Sequence, residues 1–142
     1  MHLKIGAAPV WVQDTGTPRG RGVFAARDFA VGEVVERAPV LVLDCSHYDL
    51  PPLLQKYTFS WKGLTGVHEG QAIALGYGGL YNHASPANLR YQADADNQCI
   101  LFVAECAILT GEELTINYNG VCGSAYSEND RWFTAHAVAP LT

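Results

Sequence analysis

The sequence predicts a mostly β single domain of many short strands with few helical turns. Three observations predict it. A length of 142 residues fits one domain with little room for a second. Short runs of β-branched and aromatic residues recur along the chain. Dense clusters of Gly, Pro, Asn and Asp punctuate those runs.

Taken in order, Val10-Trp11-Val12 reads as a first strand, stopped by the turn chemistry of Asp14-Thr15-Gly16-Thr17-Pro18-Arg19-Gly20. Arg21 to Ala26 is a second strand entered through glycine. After a turn at Phe29 to Glu33, Val34 to Arg37 and Val40 to Leu43 continue extended structure around Pro39. The Pro51-Pro52 pair starts a short helix over Leu53 to Tyr57, and Thr58 to Trp61 alternates as a strand. Tyr81 to Asn88 is a polar, turn-rich loop between apolar groups. Leu89 to Tyr91 and Cys99 to Ala104 pair across a turn at Asp94 to Asn97. Leu114 to Tyr118 is a last strand, and Ser127-Glu128-Asn129-Asp130 opens a helix running to about Ala137.

Composition limits what such a domain does. Hydrophobic residues make up 49% and charged residues 16%, so the chain has a core and is not disordered. A net charge of -5 argues against direct nucleic-acid binding, which needs a basic face, and suits a basic partner. No apolar run spans a bilayer, and the first residues lack the apolar core of a secretory signal. Cys45, Cys99, Cys106 and Cys122 have no metal-ligand spacing and read as reduced thiols of a cytoplasmic protein, with no metal. No local signature supports a cysteine hydrolase built on His47, His68 or His83.

Three distant segments carry the chemistry: Arg19-Gly20-Arg21-Gly22-Val23-Phe24-Ala25, Tyr81-Asn82-His83-Ala84-Ser85-Pro86-Ala87-Asn88-Leu89, and Gly111-Glu112-Glu113-Leu114-Thr115-Ile116-Asn117-Tyr118. Alone, each has an ordinary reading: a strand-entry turn, a satisfied polar loop pair, a strand-end aromatic. Together and in this order they resemble the SET-domain lysine methyltransferases, whose signatures read G-x-G-x-[FVL], N-H-S-x-x-P-N and G-E-E-L-T-x-x-Y. The resemblance runs from about Arg19 to Tyr118. It implies one SET domain over 1–142, a fold of several small sheets and short helices, with a core of about 19–118 and a closing segment of 119–142 that threads a C-terminal pseudoknot.

The resemblance also implies a function: methyl transfer from S-adenosyl-L-methionine to a lysine amine of a protein substrate. Tyr118 would be the catalytic residue and also touch the cofactor. Gly20, Arg21 and Gly22 would line the cofactor through backbone groups, Asn82 and His83 would meet the adenine edge, and Trp132 would cover it. Tyr91, Tyr81 and Phe133 would line the lysine channel, where aromatic walls attract a methylammonium and exclude water. For Tyr91 a cross-strand core position is an equal alternative. The loop departs from the family's pattern, with Ala84 in place of Ser and Pro86 one position early. That departure supports the alternative of a SET-like binding module with little turnover. A homodimer is left open, and neither nucleic acid nor membrane is expected as a partner.

Overall fold

A computed structural model describes residues 4–118. Among the described residues nine strands form two sheets. The four-stranded sheet has the order β1 (Val10–Asp14), β2 (Arg21–Ala25), β9 (Glu113–Ile116), β6 (Asn82–His83). The five-stranded sheet has the order β4 (Thr58–Ser60), β5 (Gln71–Ala74), β3 (Val34–Leu43), β8 (Cys99–Ala104), β7 (Leu89–Asp94). Two short helices, α1 (Pro52–Gln55) and α2 (Trp61–Thr65), lie between β3 and β5. No helix among the described residues is long and apolar enough to cross a membrane.

The β1–β2 hairpin follows from its turn. The Asp14 carboxylate accepts from the Gly16 N–H at 2.6 Å, and Gly16 and Gly20 take φ of 73° and 76°, which side chains resist. Asp14 and Arg21 then pair, and the register runs back to Val10 and Ala25.

Strand β3 is the spine of the larger sheet. Its first part, Val34 to Pro39, pairs with β8, and its last part, Val40 to Leu43, pairs with β5. The handover falls at Pro39, which has no N–H to give a ladder; its carbonyl accepts from Leu75 and the Val40 N–H turns to Gln98. Pairing is also interrupted between Val34 and Glu36, where two steps along β3 face one step of β8. Beyond this bulge Glu36 alternates in phase with the buried Ala38 and Val40, and Val35 within it is buried as well.

The sequence reading meets three differences here. Trp61 begins α2 and does not end a strand: the Ser60 side chain accepts from the Gly63 N–H and caps the helix, a signal blurred by glycine in the first turn. Strand β5, Gln-Ala-Ile-Ala, carries weak strand chemistry and forms because β3 and β4 flank it. Asn82-His83, read as loop, is a two-residue strand parallel to β9, with Asn82 opposite Thr115 and His83 opposite Ile116. The expected helix from Glu128, Cys122, Trp132, Phe133 and the closing segment lie outside the described residues.

The core sits between the sheets. Phe102, Leu89, Ile100, Ile108, Leu114 and Tyr81 are its largest members with almost no exposure. Phe102 stands cross-strand from Tyr91 and packs its ring on Tyr81, with centroids 4.7 Å apart.

Candidate active site

The three motif segments meet along β9. Glu113, at its start, is the junction. Its carboxylate accepts from Arg19 Nη1 at 3.2 Å and from Asn82 Nδ2 at 2.8 Å. Arg19 Nη2 donates to the His83 carbonyl at 2.7 Å, and Asn82 Nδ2 also donates to the Arg21 carbonyl at 2.9 Å. One carboxylate therefore ties the glycine turn to β6. Gly22 is required beside it, because a Cβ there would stand 2.5 Å from Glu113 Oε2.

The irregular loop docks by a similar device. Asn88 Nδ2 donates to the Glu113 carbonyl at 2.8 Å, and Asn88 Oδ1 accepts from the Thr115 N–H at 2.8 Å. These two bonds mimic a strand pair, so the loop ends in register with β9 although its proline is displaced. The Ser85–Pro86 peptide is cis.

Tyr118 follows β9. His83 Nδ1 accepts its backbone N–H at 3.1 Å, and the two rings lie 5.2 Å apart. The Tyr118 hydroxyl donates to the Tyr81 carbonyl at 2.9 Å. Burial pushes this phenol up to about 12; Arg19 opposes the shift, while Tyr57 and Glu113 add to it. The hydroxyl therefore keeps its proton at any physiological pH and serves as a fixed dipole, not as a base.

Beside Tyr118 opens a cavity of about 360 Å³, a size within the range of small-ligand sites. Its walls include Tyr57, Phe59, Tyr81, Tyr91, Ile116 and Tyr118, and its polar edge carries His47 and Lys56. Tyr91 packs on Phe59 with ring centroids 5.5 Å apart, opposes Phe102 in the ladder and lines the cavity. Its hydroxyl donates to the Asn117 carbonyl at 3.2 Å. Tyr81 is also among the lining residues, and its hydroxyl donates to the Glu36 carboxylate at 2.6 Å. Of the expected residues, Gly20, Arg21, Gly22, Asn82 and His83 gather on the β2–β9–β6 side, and Tyr81, Tyr91 and Tyr118 on the cavity side.

Arg19, Glu36, Phe59 and Glu113 were not singled out from the sequence. Glu113 and Arg19 stand inside the motif segments, whose chemistry reads through the glycines and the tyrosine. Phe59 has no motif around it, and its place follows only from the β4–β5 pairing.

The β2–β9–β6 side offers space and polar groups to a ligand. Nothing lies within 4 Å of where a Gly20 Cβ would be, so a ligand can reach this backbone. Arg19 Nε and Ser85 Oγ are buried and lack hydrogen-bond partners among the described residues, leaving a donor and a hydroxyl for a polar ligand.

Comparison with known proteins bears on the family and the fold. The SET domain family model matches residues 20–119. The chain is 32% identical over 122 residues to a Schizosaccharomyces pombe histone-lysine N-methyltransferase, H3 lysine-37 specific, covering 83% of this chain and 78% of that protein. Its fold is similar to a crystal structure of a candidate histone methyltransferase of Plasmodium falciparum, with a TM-score of 0.62 and 24% identity over 80% of this chain and 95% of that one. It is also similar to CpSET8 of Cryptosporidium, with a TM-score of 0.61 and 18% identity over 79% of this chain and 58% of that one.

Proposed function

The chain belongs to the SET-domain family, and from that premise we propose how its residues divide the reaction and what kind of protein it acts on. The protein is a lysine N-methyltransferase: it methylates a lysine side-chain amine of a protein substrate. The observation that carries the site assignment is the aromatic cavity ending beside a tyrosine whose hydroxyl is held by a backbone carbonyl.

In this reading the lysine enters between Tyr57, Phe59 and Tyr91. The apolar wall disfavours the ammonium, so the amine is present as the free base near the transfer point. Water exclusion and a straight approach are the protein's main contributions, because a displacement needs the nucleophile aligned and unsolvated. Gly20, Arg21, Gly22, Asn82 and His83 hold S-adenosylmethionine, with Arg19 and Ser85 adding polar contacts. When bound, S-adenosylmethionine supplies a methyl group on a sulfonium whose departure leaves a neutral thioether, so no acid is required. The Tyr118 oxygen, fixed by donation to Tyr81, offers lone pairs to polarised C–H bonds, each contact worth under about 1 kcal/mol.

The substrate we infer is a basic histone-like tail. The relative's stated specificity supports it, as do a net charge of -5 and the exposed Asp44 and Asp49 on either side of His47 at the cavity edge. A cytoplasmic location and a second copy completing the groove remain part of this reading, and neither is needed by the chemistry above. The test is incubation with methyl-labelled S-adenosylmethionine and recombinant histone H3, followed by peptide mass spectrometry. Label on a lysine of the H3 tail, lost when that lysine is replaced by arginine, is expected. Label only on other proteins of a histone and ribosomal set would remove H3 as substrate, and label on a non-lysine side chain would overturn the channel assignment.

A further inference from the structure

Glu36 is a buried carboxylate that the reaction itself does not use. It lies at 6% exposure, and burial raises its pKa against the opposing hydrogen bonds from Tyr81 and Tyr77. A buried carboxylate is costly unless its oxygens are satisfied, and three separate features accommodate this one. Its place in the alternation of β3, in phase with the buried Ala38 and Val40, points it inward. Gly76, at φ 70°, leaves its space: a Cβ there would stand 2.5 Å from Glu36 Oε2. The Tyr77 N–H donates to Oε2 at 2.8 Å, and the Tyr81 hydroxyl donates to Oε1 at 2.6 Å.

The second of these bonds leads to the active site. Tyr81 is anchored at its hydroxyl by Glu36, and its backbone carbonyl is the acceptor that orients the Tyr118 hydroxyl. We propose that Glu36 is a positioning residue for methyl transfer: through Tyr81 it fixes the carbonyl that aims the Tyr118 hydroxyl at the end of the lysine channel. The relay is short and made of charge-assisted and backbone hydrogen bonds, so a loosened Tyr81 ring lets its carbonyl drift and the hydroxyl follows. Glu36 touches neither substrate nor cofactor in this role. The inference rests on the reading of Tyr118 as the transfer tyrosine.

A double-mutant cycle separates positioning from simple packing. Tyr81→Phe keeps the ring and the carbonyl and removes only the anchor to Glu36. It should lower kcat about fivefold, with the KM for S-adenosylmethionine unchanged. In the Tyr118→Phe background there is no hydroxyl left to aim, so adding Tyr81→Phe should leave kcat where it was. Glu36→Gln, which keeps one acceptor, should give a smaller loss that vanishes in the same background, and it serves where Tyr81→Phe folds poorly. Equal losses in both backgrounds, or wild-type kcat in Tyr81→Phe, would overturn the role of Glu36 and leave Tyr118 in place. Wild-type kcat in Tyr118→Phe alone would instead remove the reading on which the inference rests.

Discussion

The two sheets are held together in different ways. In the five-stranded sheet, β7 and β8 pair through Leu89/Ala104 to Asp94/Cys99, and β3 and β8 through Val34/Val103 to Pro39/Cys99. Phe59, Tyr81, Tyr91 and Phe102 then fill the space above these ladders. In the four-stranded sheet the inner joints are slight: β2 meets β9 only at Val23/Leu114 and Phe24/Glu113, and β6 meets β9 at two positions. There the fastening is done by side chains, with Glu113 holding Arg19 and Asn82, Asn88 holding β9, and His83 holding Tyr118. Backbone ladders and core packing make a stable platform. Polar side chains crossing between strands set the position of backbone groups that a ligand must meet.

Substitutions on the two sides should therefore separate stability from binding. The largest effect is expected at Phe102, which has no exposure and packs on Tyr81, Tyr91 and Phe59. Phe102→Ala should cost about 3–5 kcal/mol of unfolding free energy, while the folded fraction binds cofactor within about twofold of wild type. Urea unfolding and calorimetry at low temperature measure both; a large loss of affinity in protein still folded would mean that the sheets are not separable.

Next comes the clasp. Asn82→Ala removes the donor shared by Arg21 and Glu113 and frees the glycine turn from β6. Cofactor affinity should fall by about 1–3 kcal/mol, with a smaller change in stability than Phe102→Ala. Unchanged affinity by calorimetry would take Asn82 out of the site.

The smallest effect sharpens the border between the sides, at Tyr91. Its ring belongs to the platform and its hydroxyl reaches the Asn117 carbonyl beside Tyr118. Tyr91→Phe should preserve the first transfer and shift products toward higher methylation, a change on the order of 1 kcal/mol as the hydroxyl leaves room in the channel. Counting methyl groups by mass spectrometry checks it, and an identical product ratio at matched turnover would confine Tyr91 to packing.

The same division explains what the sequence reveals. The platform's strands are legible because β-branched and aromatic runs bounded by turns are local signals, as for Leu89 to Tyr91 and Cys99 to Ala104. Strand β5 is not, since Gln71 to Ala74 extends only because β3 and β4 flank it. On the other side, Gly20, Gly22, Asn82, His83 and Tyr118 are legible through motif order. Their partners are less so. That Asn82 spends its amide on Glu113, and that His83 accepts from the Tyr118 N–H, are contacts over 31 and 35 residues that no local pattern encodes. Glu36 is hidden further, because a carboxylate in a strand reads as solvent-facing and its partners Tyr77 and Tyr81 lie 41 and 45 residues away.

The most direct test of the account is single-turnover methyl transfer by Tyr118→Phe. The substitution keeps the ring against His83 and removes the hydroxyl donated to Tyr81. Cofactor affinity should stay within about threefold of wild type while the transfer rate falls roughly tenfold or more. The pH–rate profile should keep its shape through neutral and mildly alkaline pH, because a phenol pushed up to about 12 remains protonated there in the wild-type protein. A transfer rate equal to wild type at saturating cofactor would contradict the account and reduce Tyr118 to a packing residue at the end of β9.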